Sequence, residues 1–240
     1  MTTKPTVAFV PGTMCDKRLW EPVIAILQPE YAEHYVAIES CKSRAEMLQA
    51  VSDGVNKVGS TNPNGANLIG FSMGGYLSML YALNNPSKIN KLVLISISAN
   101  PLPDHEMSMR RKSIEWLKQN RYTGIARGRL QQFVHPSRMF DSRLVNTIKA
   151  MDNELGHDVL FTQITETSER EPLMEKLHQL DFPVMIIGAE NDALVDVQDL
   201  EAMAEALPKS ELHIIPESGH MLPLEQPQVV AELIKGFVSC

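Results

Sequence analysis

The sequence predicts an α/β fold, a parallel sheet covered by helices on both faces. Three observations carry that prediction. Short apolar, β-branched runs alternate with segments of helical period. The runs are apolar at successive positions rather than at every second one, as in strands buried on both faces. The helical segments carry their own start and stop signals, and strands alternating with helices define the α/β class.

Six runs read as strands: 6–10, 35–38, 66–71, 91–97, 183–187 and 211–215. Between the second and third, Ser43 and Glu46 form a capping-box pattern ahead of the apolar stripe Met47, Leu48, Val51, Val55 and Val58. The helix predicted over 73–83 ends at Asn84-Asn85-Pro86, where proline forbids continuation. Asp196 stands where a helix N-cap belongs, before Leu200, Met203, Ala204 and Leu207, and Pro208 follows them. Pro227 suits the first turn of a last helix carrying Val230, Leu233, Ile234 and Phe237. The alternation breaks between about Asn100 and Asp181, where the pattern is helical and basic with no strand. The expected organisation is a core made of 1–99 and 182–240, with 100–181 as an inserted helical lid.

The chain has 240 residues, 44% of them hydrophobic and 21% charged, which suits a globular domain and excludes disordered or collagenous chains. The formal charge of −7 argues against a general nucleic-acid binder, which needs a positive surface. That charge is uneven. Residues 100–150 hold ten Lys or Arg against four Asp or Glu, a formal +6, which leaves −13 for the remainder. The three cysteines, Cys15, Cys41 and Cys240, are far apart and imply neither a disulfide framework nor a zinc site. No signal-peptide pattern and no spanning-length apolar stretch occurs, so a cytoplasmic protein without a membrane partner is expected. There is no metal motif, dinucleotide fingerprint or P-loop, and no cofactor is expected.

The sharpest motif is Gly70-Phe71-Ser72-Met73-Gly74-Gly75, which follows an apolar run and opens a helical pattern. In this strand–turn–helix setting the serine backbone is strained, its neighbours must be small, and its Oγ is raised beside a helix N-terminus that favours negative charge. Ser72 is therefore the candidate nucleophile. A serine nucleophile needs a base, and the base needs an orienting acid. His220, in the loop Glu217-Ser218-Gly219-His220 just past the last strand, is the candidate base, whereas His213 lies inside the strand-like run and reads as structural. The acid belongs after the preceding strand, where Glu190, Asp192 and Asp196 compete. Asp192 is favoured, and Asp196 has the competing role of helix cap. An oxyanion hole needs two backbone N–H groups. Met73, next to the nucleophile, supplies one, and the loop after the first strand supplies the other from Thr13 or, alternatively, Met14.

On these residues the sequence resembles the α/β-hydrolase superfamily, in its small, lidded serine-esterase branch. The pieces VPGTMCDKRLW, GFSMGG, IIGAEND and PESGHMLPLEQP span most of the chain in the family's order. The resemblance implies a six-stranded, mostly parallel sheet with a helical lid. It also implies Ser72, Asp192 and His220 as a catalytic triad, with Thr13 and Met73 as the oxyanion hole. Two features depart from the family pattern: Pro11-Gly12 replaces the usual His-Gly of the oxyanion loop, and no sequence precedes the first strand to form an edge hairpin.

The implied activity is hydrolysis of a small-molecule carboxylic ester or thioester through an acyl-enzyme. The same triad also suits C–C bond or enol-lactone chemistry, and a low-turnover ligand-binding relative is the reading outside catalysis. Two readings of the basic lid stand side by side. Its arginines form a solvated surface, or Arg127 and Arg129 recognise an anionic substrate. Met14 and Met221, next to proposed site residues, are either core filling or the lining of an adaptable acyl pocket. Trp20 and Cys15 read as packing residues.

Overall fold

The computed structural model describes residues 4–28 and 30–239, so Cys240 lies outside the described residues. Its centre is a six-stranded sheet of β1 (Thr6–Val10), β2 (Ala32–Tyr35), β3 (Ala66–Phe71), β4 (Ile89–Ile95), β5 (Val184–Ala189) and β6 (Ser210–Ile215). The spatial order is β2-β1-β3-β4-β5-β6, and every neighbouring pair is parallel.

The continuous apolar runs are explained by burial on both faces. Ala8, Val10, Leu68, Leu92, Leu94, Val184 and Ile186 pack into one core. It includes Val51 and Val55 of α2 (Arg44–Gly59), Leu77 of α3 (Met73–Asn84), and Leu200 and Met203 of α7 (Val197–Ala206). The alternate residues Val7, Phe9, Ile69, Phe71, Val93, Ile95, Met185 and Ile187 pack into a second core. That one includes Val23 and Leu27 of α1 (Glu21–Leu27) and Val230, Ile234 and Phe237 of the C-terminal helix Pro227–Ser239. Trp20 is fully buried against Phe9, with ring centroids 5.1 Å apart, and Cys15 packs in the same core.

Strand boundaries differ from the sequence reading most at β2, which runs over 32–35 rather than 35–38. Val36 and Ile38 are buried, but the register Phe9↔Tyr35 leaves β1 nothing to pair with beyond Val36. The apolar pattern there reports burial rather than pairing. Ala32-Glu33-His34-Tyr35 carries little strand signal because it forms an edge strand. β4 likewise starts at Ile89 and ends at Ile95, where Ser96 turns to a φ of 50°. At α2 the Ser43 hydroxyl accepts the Glu46 N–H at 3.2 Å. The Glu46 carboxylate closes back on the Lys42 N–H at 2.8 Å, one residue earlier than the box pattern implies.

Between β4 and β5 the chain forms no strand. It makes α4 (Asp104–Leu117), α5 (Arg127–Phe133) and α6 (Ser142–Thr167), the last interrupted at Gly156. Three apolar residues of this region are exposed rather than packed: Met109 at 39%, Trp116 at 49% and Phe140 at 92%. No helix among the described residues is long and apolar enough to cross a membrane. The connections after β1 and β3 leave toward opposite sides of β1, so the carboxyl ends of these strands flank a crevice. The loops that carry Thr13, Ser72, Asp192 and His220 all follow carboxyl ends of strands.

Candidate active site

Ser72 stands between β3 and α3 with φ 50° and ψ −118°, a region an L residue occupies at a cost of about 1–3 kcal/mol. Its backbone is held from both sides: Ser72 N–H donates to the Ile95 carbonyl, and Tyr76 N–H donates to the Ser72 carbonyl. The turn is tight enough to require glycine around it. A Cβ on Gly74 would lie 2.3 Å from the Pro11 carbonyl oxygen, and one on Gly70 would lie 2.7 Å from that of Gly74.

The Ser72 Oγ lies 3.0 Å from His220 Nε2, and His220 Nδ1 lies 2.8 Å from Asp192 Oδ2. A carboxylate only accepts, so the ring proton sits on Nδ1 and the Nε2 lone pair faces the serine hydroxyl. Asp192 is equally fixed: its Oδ1 accepts the N–H groups of Leu194 at 2.8 Å and Val195 at 3.2 Å. His220 is 4% exposed, and its ring neighbours two phenyl rings, Phe71 at 5.2 Å and Phe133 at 5.9 Å between centroids.

The competing acids are accounted for. Asp196 caps α7, its carboxylate accepting the Gln198 N–H at 3.0 Å. Glu190 is exposed and meets the Glu217 N–H. His213 lies in β6. Burial raises the Cys15 thiol far above its ordinary range, so it stays protonated and is no rival nucleophile.

Thr13 and Met73 come together, the Thr13 hydroxyl donating to the Met73 sulfur at 3.5 Å. The Met14 N–H is already committed to Gln163 Oε1 at 2.8 Å, which leaves Thr13 as the oxyanion candidate of that loop. Met14 itself is buried at a φ of 54°. Met221 is buried too, and its N–H donates to the Phe133 carbonyl at 3.0 Å.

Arg127 and Arg129, the two arginines the sequence points to, have different fates. Arg129 forms a two-pronged ion pair with Glu106, at 2.8 and 3.1 Å, and lies 4.9 Å above the Phe133 ring. Arg127 lines a cavity of about 650 Å³ with Leu130, Met139, Phe140 and Lys149, and neither Ser72 nor His220 is among its lining residues.

Three features escaped the sequence reading. Gln163 reaches the oxyanion loop from α6. Glu106 gathers arginines inside the helical segment. Glu225, 1% exposed, accepts the N–H groups of Gly219 and His135 around the His220 loop. Only Glu225 left a trace, as a lone acid within the apolar stretch GHMLPLEQP.

A six-stranded parallel sheet bearing a serine turn and its hydrogen-bonded histidine and aspartate defines the α/β-hydrolase class. Residues 39–227 match the model of the family described as serine aminopeptidase, S33, and the chain belongs to that family of α/β-hydrolases. Among curated relatives, a monoacylglycerol lipase (abhd6-B) of Xenopus laevis is 22% identical across 98% of this chain and 76% of its own length. The YugF hydrolase of Bacillus subtilis is 25% identical over 72% of this chain and 64% of its own length, so the chain spans under two thirds of that relative. Among solved structures, a thermophilic esterase from Thermogutta terrifontis superposes with a TM-score of 0.86 at 23% identity, covering 100% of this chain and 91% of that one. An enol-lactonase from Burkholderia xenovorans superposes with a TM-score of 0.84 at 15% identity, covering 99% and 92%. At these identities the structural likeness speaks for the fold.

Proposed function

We propose that this protein is a serine hydrolase that cleaves a small-molecule carboxylic ester or thioester through an acyl-enzyme on Ser72. The observation that carries the reading is the unbroken chain from Ser72 Oγ through His220 to Asp192. His220 Nε2 takes the hydroxyl proton as Ser72 attacks the carbonyl carbon, and Asp192 stabilises the imidazolium that forms. The developing oxyanion is met by the N–H groups of Thr13 and Met73, the latter at the N-terminus of α3. The protonated His220 then passes its proton to the leaving group. It next deprotonates a water molecule that attacks the acyl carbon, releases the acid and regenerates Ser72.

In this reading residues 100–181 are a cap over a core of 1–99 and 182–240. The cap excludes water from the reacting centre and selects the substrate. Its contribution to anion recognition is assigned away from Arg129, whose guanidinium is engaged by Glu106. A reducing, cytoplasmic setting fits the thiols of Cys15 and Cys41, which are free.

The test is a fluorophosphonate probe combined with assays on p-nitrophenyl esters and acyl thioesters. The expected result is one adduct on Ser72 and turnover that vanishes in Ser72→Ala. A folded protein that takes no adduct at Ser72 overturns the reading, and labelling without turnover favours the ligand-binding alternative.

A further inference from the structure

The inner part of the helical segment holds hydrogen-bond donors and positive charges in excess of acceptors. Glu106 is buried and receives Arg110 Nε at 2.9 Å as well as both prongs of Arg129. Both of its oxygens are thereby used. Arg110 Nη1 is buried with no acceptor, and so is the Nε2 of Gln163. Arg170 is partly exposed, donates its Nε to the Thr167 carbonyl, and lies 4.8 Å above the ring of Tyr76. No carboxylate pairs with it among the described residues. Two guanidinium groups therefore share one carboxylate and the third, Arg170, has none, a local excess of two positive charges. Desolvation and the neighbouring Arg110 cation lower the Arg170 pKa to about 9. An arrangement like this is unfavourable as it stands and is relieved by an anion.

The cluster also borders the reacting groups at both ends. Gln163 holds the Met14 N–H of the oxyanion loop, and Thr167 stands one helical turn further along α6, leading to Arg170. Tyr76, beneath Arg170, is one turn of α3 beyond Ser72. At the other end Arg129 lies on Phe133, whose second neighbour is the His220 ring.

We propose that Arg170 and Arg110, with the free amide donor of Gln163, form a subsite for a carboxylate, and that the enzyme's substrates are esters bearing a second, unesterified carboxylate. The inference rests on the reading of Ser72 as the nucleophile of an ester hydrolase. A carboxylate between the two guanidinium groups accepts from the open fork of Arg170 and from Arg110 Nη1, and it cancels one of the two excess charges.

The first test compares wild type, Arg170→Gln and the exposed control Lys118→Gln on mono-p-nitrophenyl glutarate and on p-nitrophenyl butyrate. The ratio of kcat/KM for the acidic over the neutral ester is expected to fall about 10- to 100-fold in Arg170→Gln, mainly through KM, as for loss of a charge-assisted hydrogen bond. Lys118→Gln keeps the wild-type ratio. An unchanged ratio in Arg170→Gln overturns the subsite. The second test is calorimetric binding of glutarate and inorganic phosphate to Ser72→Ala, which needs no turnover and no Arg170 variant. Glutarate is expected to bind, and more tightly than phosphate. Absence of glutarate binding overturns the proposal, and tighter phosphate binding overturns the carboxylate assignment. Glutarate binding to a protein that takes no probe at Ser72 would leave the subsite standing and remove the hydrolase reading.

Discussion

Phe133 and His220 are joined twice. Their rings lie 5.9 Å apart, and the Met221 N–H, one residue beyond the histidine, donates to the Phe133 carbonyl at 3.0 Å. The end of α5 and the His220 loop are thus one packed unit. Glu225 completes it by accepting N–H groups from Gly219 on the loop side and from His135 just after α5, at 3.2 and 2.9 Å.

Replacing this carboxylate loosens the loop that carries His220 rather than removing the imidazole. Glu225→Gln keeps one acceptor and turns an NH₂ toward N–H donors. The expected effect is a fall in kcat of about 10- to 100-fold with a smaller change in KM, by analogy with the loss of a group that orients a catalytic residue. Steady-state kinetics on a p-nitrophenyl ester decide it. A lower melting temperature with unchanged kcat would make Glu225 a stability residue only.

Asp192 and Asp196 give opposite phenotypes. Asp192→Asn removes the carboxylate that fixes the His220 tautomer, and kcat should fall by about 10³- to 10⁴-fold. Asp196→Ala deletes only the cap of α7. It should cost about 1 kcal/mol of stability and leave kcat at the wild-type value. Parallel denaturation and rate measurements on the two variants separate the roles.

Ser72 carries backbone strain at its turn. Glycine adopts a φ of 50° without the steric cost that serine bears. Ser72→Gly is expected to be inactive and more stable than wild type by about 1 kcal/mol, read as a raised urea midpoint at unchanged m-value. A destabilised Ser72→Gly would show that the turn is not strained.

Glu106 sets an acid limit on the helical segment. Burial acts to raise its pKa, but the Arg129 and Arg110 guanidinium groups outweigh burial and hold it below the ordinary 4.5. The stabilisation is therefore complete above that unfolded value and is lost as pH falls through the depressed folded one. Glu106→Gln should be destabilised by roughly 3 kcal/mol at neutral pH, where it leaves Arg110 and Arg129 without their carboxylate. Melting curves of wild type and variant should converge on acidification below about pH 4.5. A gap independent of pH would assign the loss to packing.

Much of the molecule is legible from residues near one another in the chain. Both-face burial writes itself into the runs of β3 and β5. Proline at position 86 and Asp196 mark helix boundaries. The glycines around Ser72 announce a turn that no larger residue can make. These signals are local because strand burial, helix caps and tight turns depend on a few consecutive residues. The chain order of serine, acid and histidine, with the family's motifs, favours Asp192 over its neighbours, and Asp192 is the acid that lies against His220 Nδ1. The pairing of β2 was not legible, because edge pairing depends on where β1 ends. Nor was the commitment of the Met14 N–H to Gln163, 149 residues away. The fates of the arginines also belong to the folded state. Sequence gives a formal +6 over 100–150. Only packing decides that Arg129 is bound to Glu106, that Arg127 faces a separate cavity, that Arg110 Nη1 is buried without an acceptor, and that Arg170 lies over Tyr76 with no carboxylate partner among the described residues. Charge is a property of composition, whereas compensation of charge depends on distances that only the tertiary structure creates.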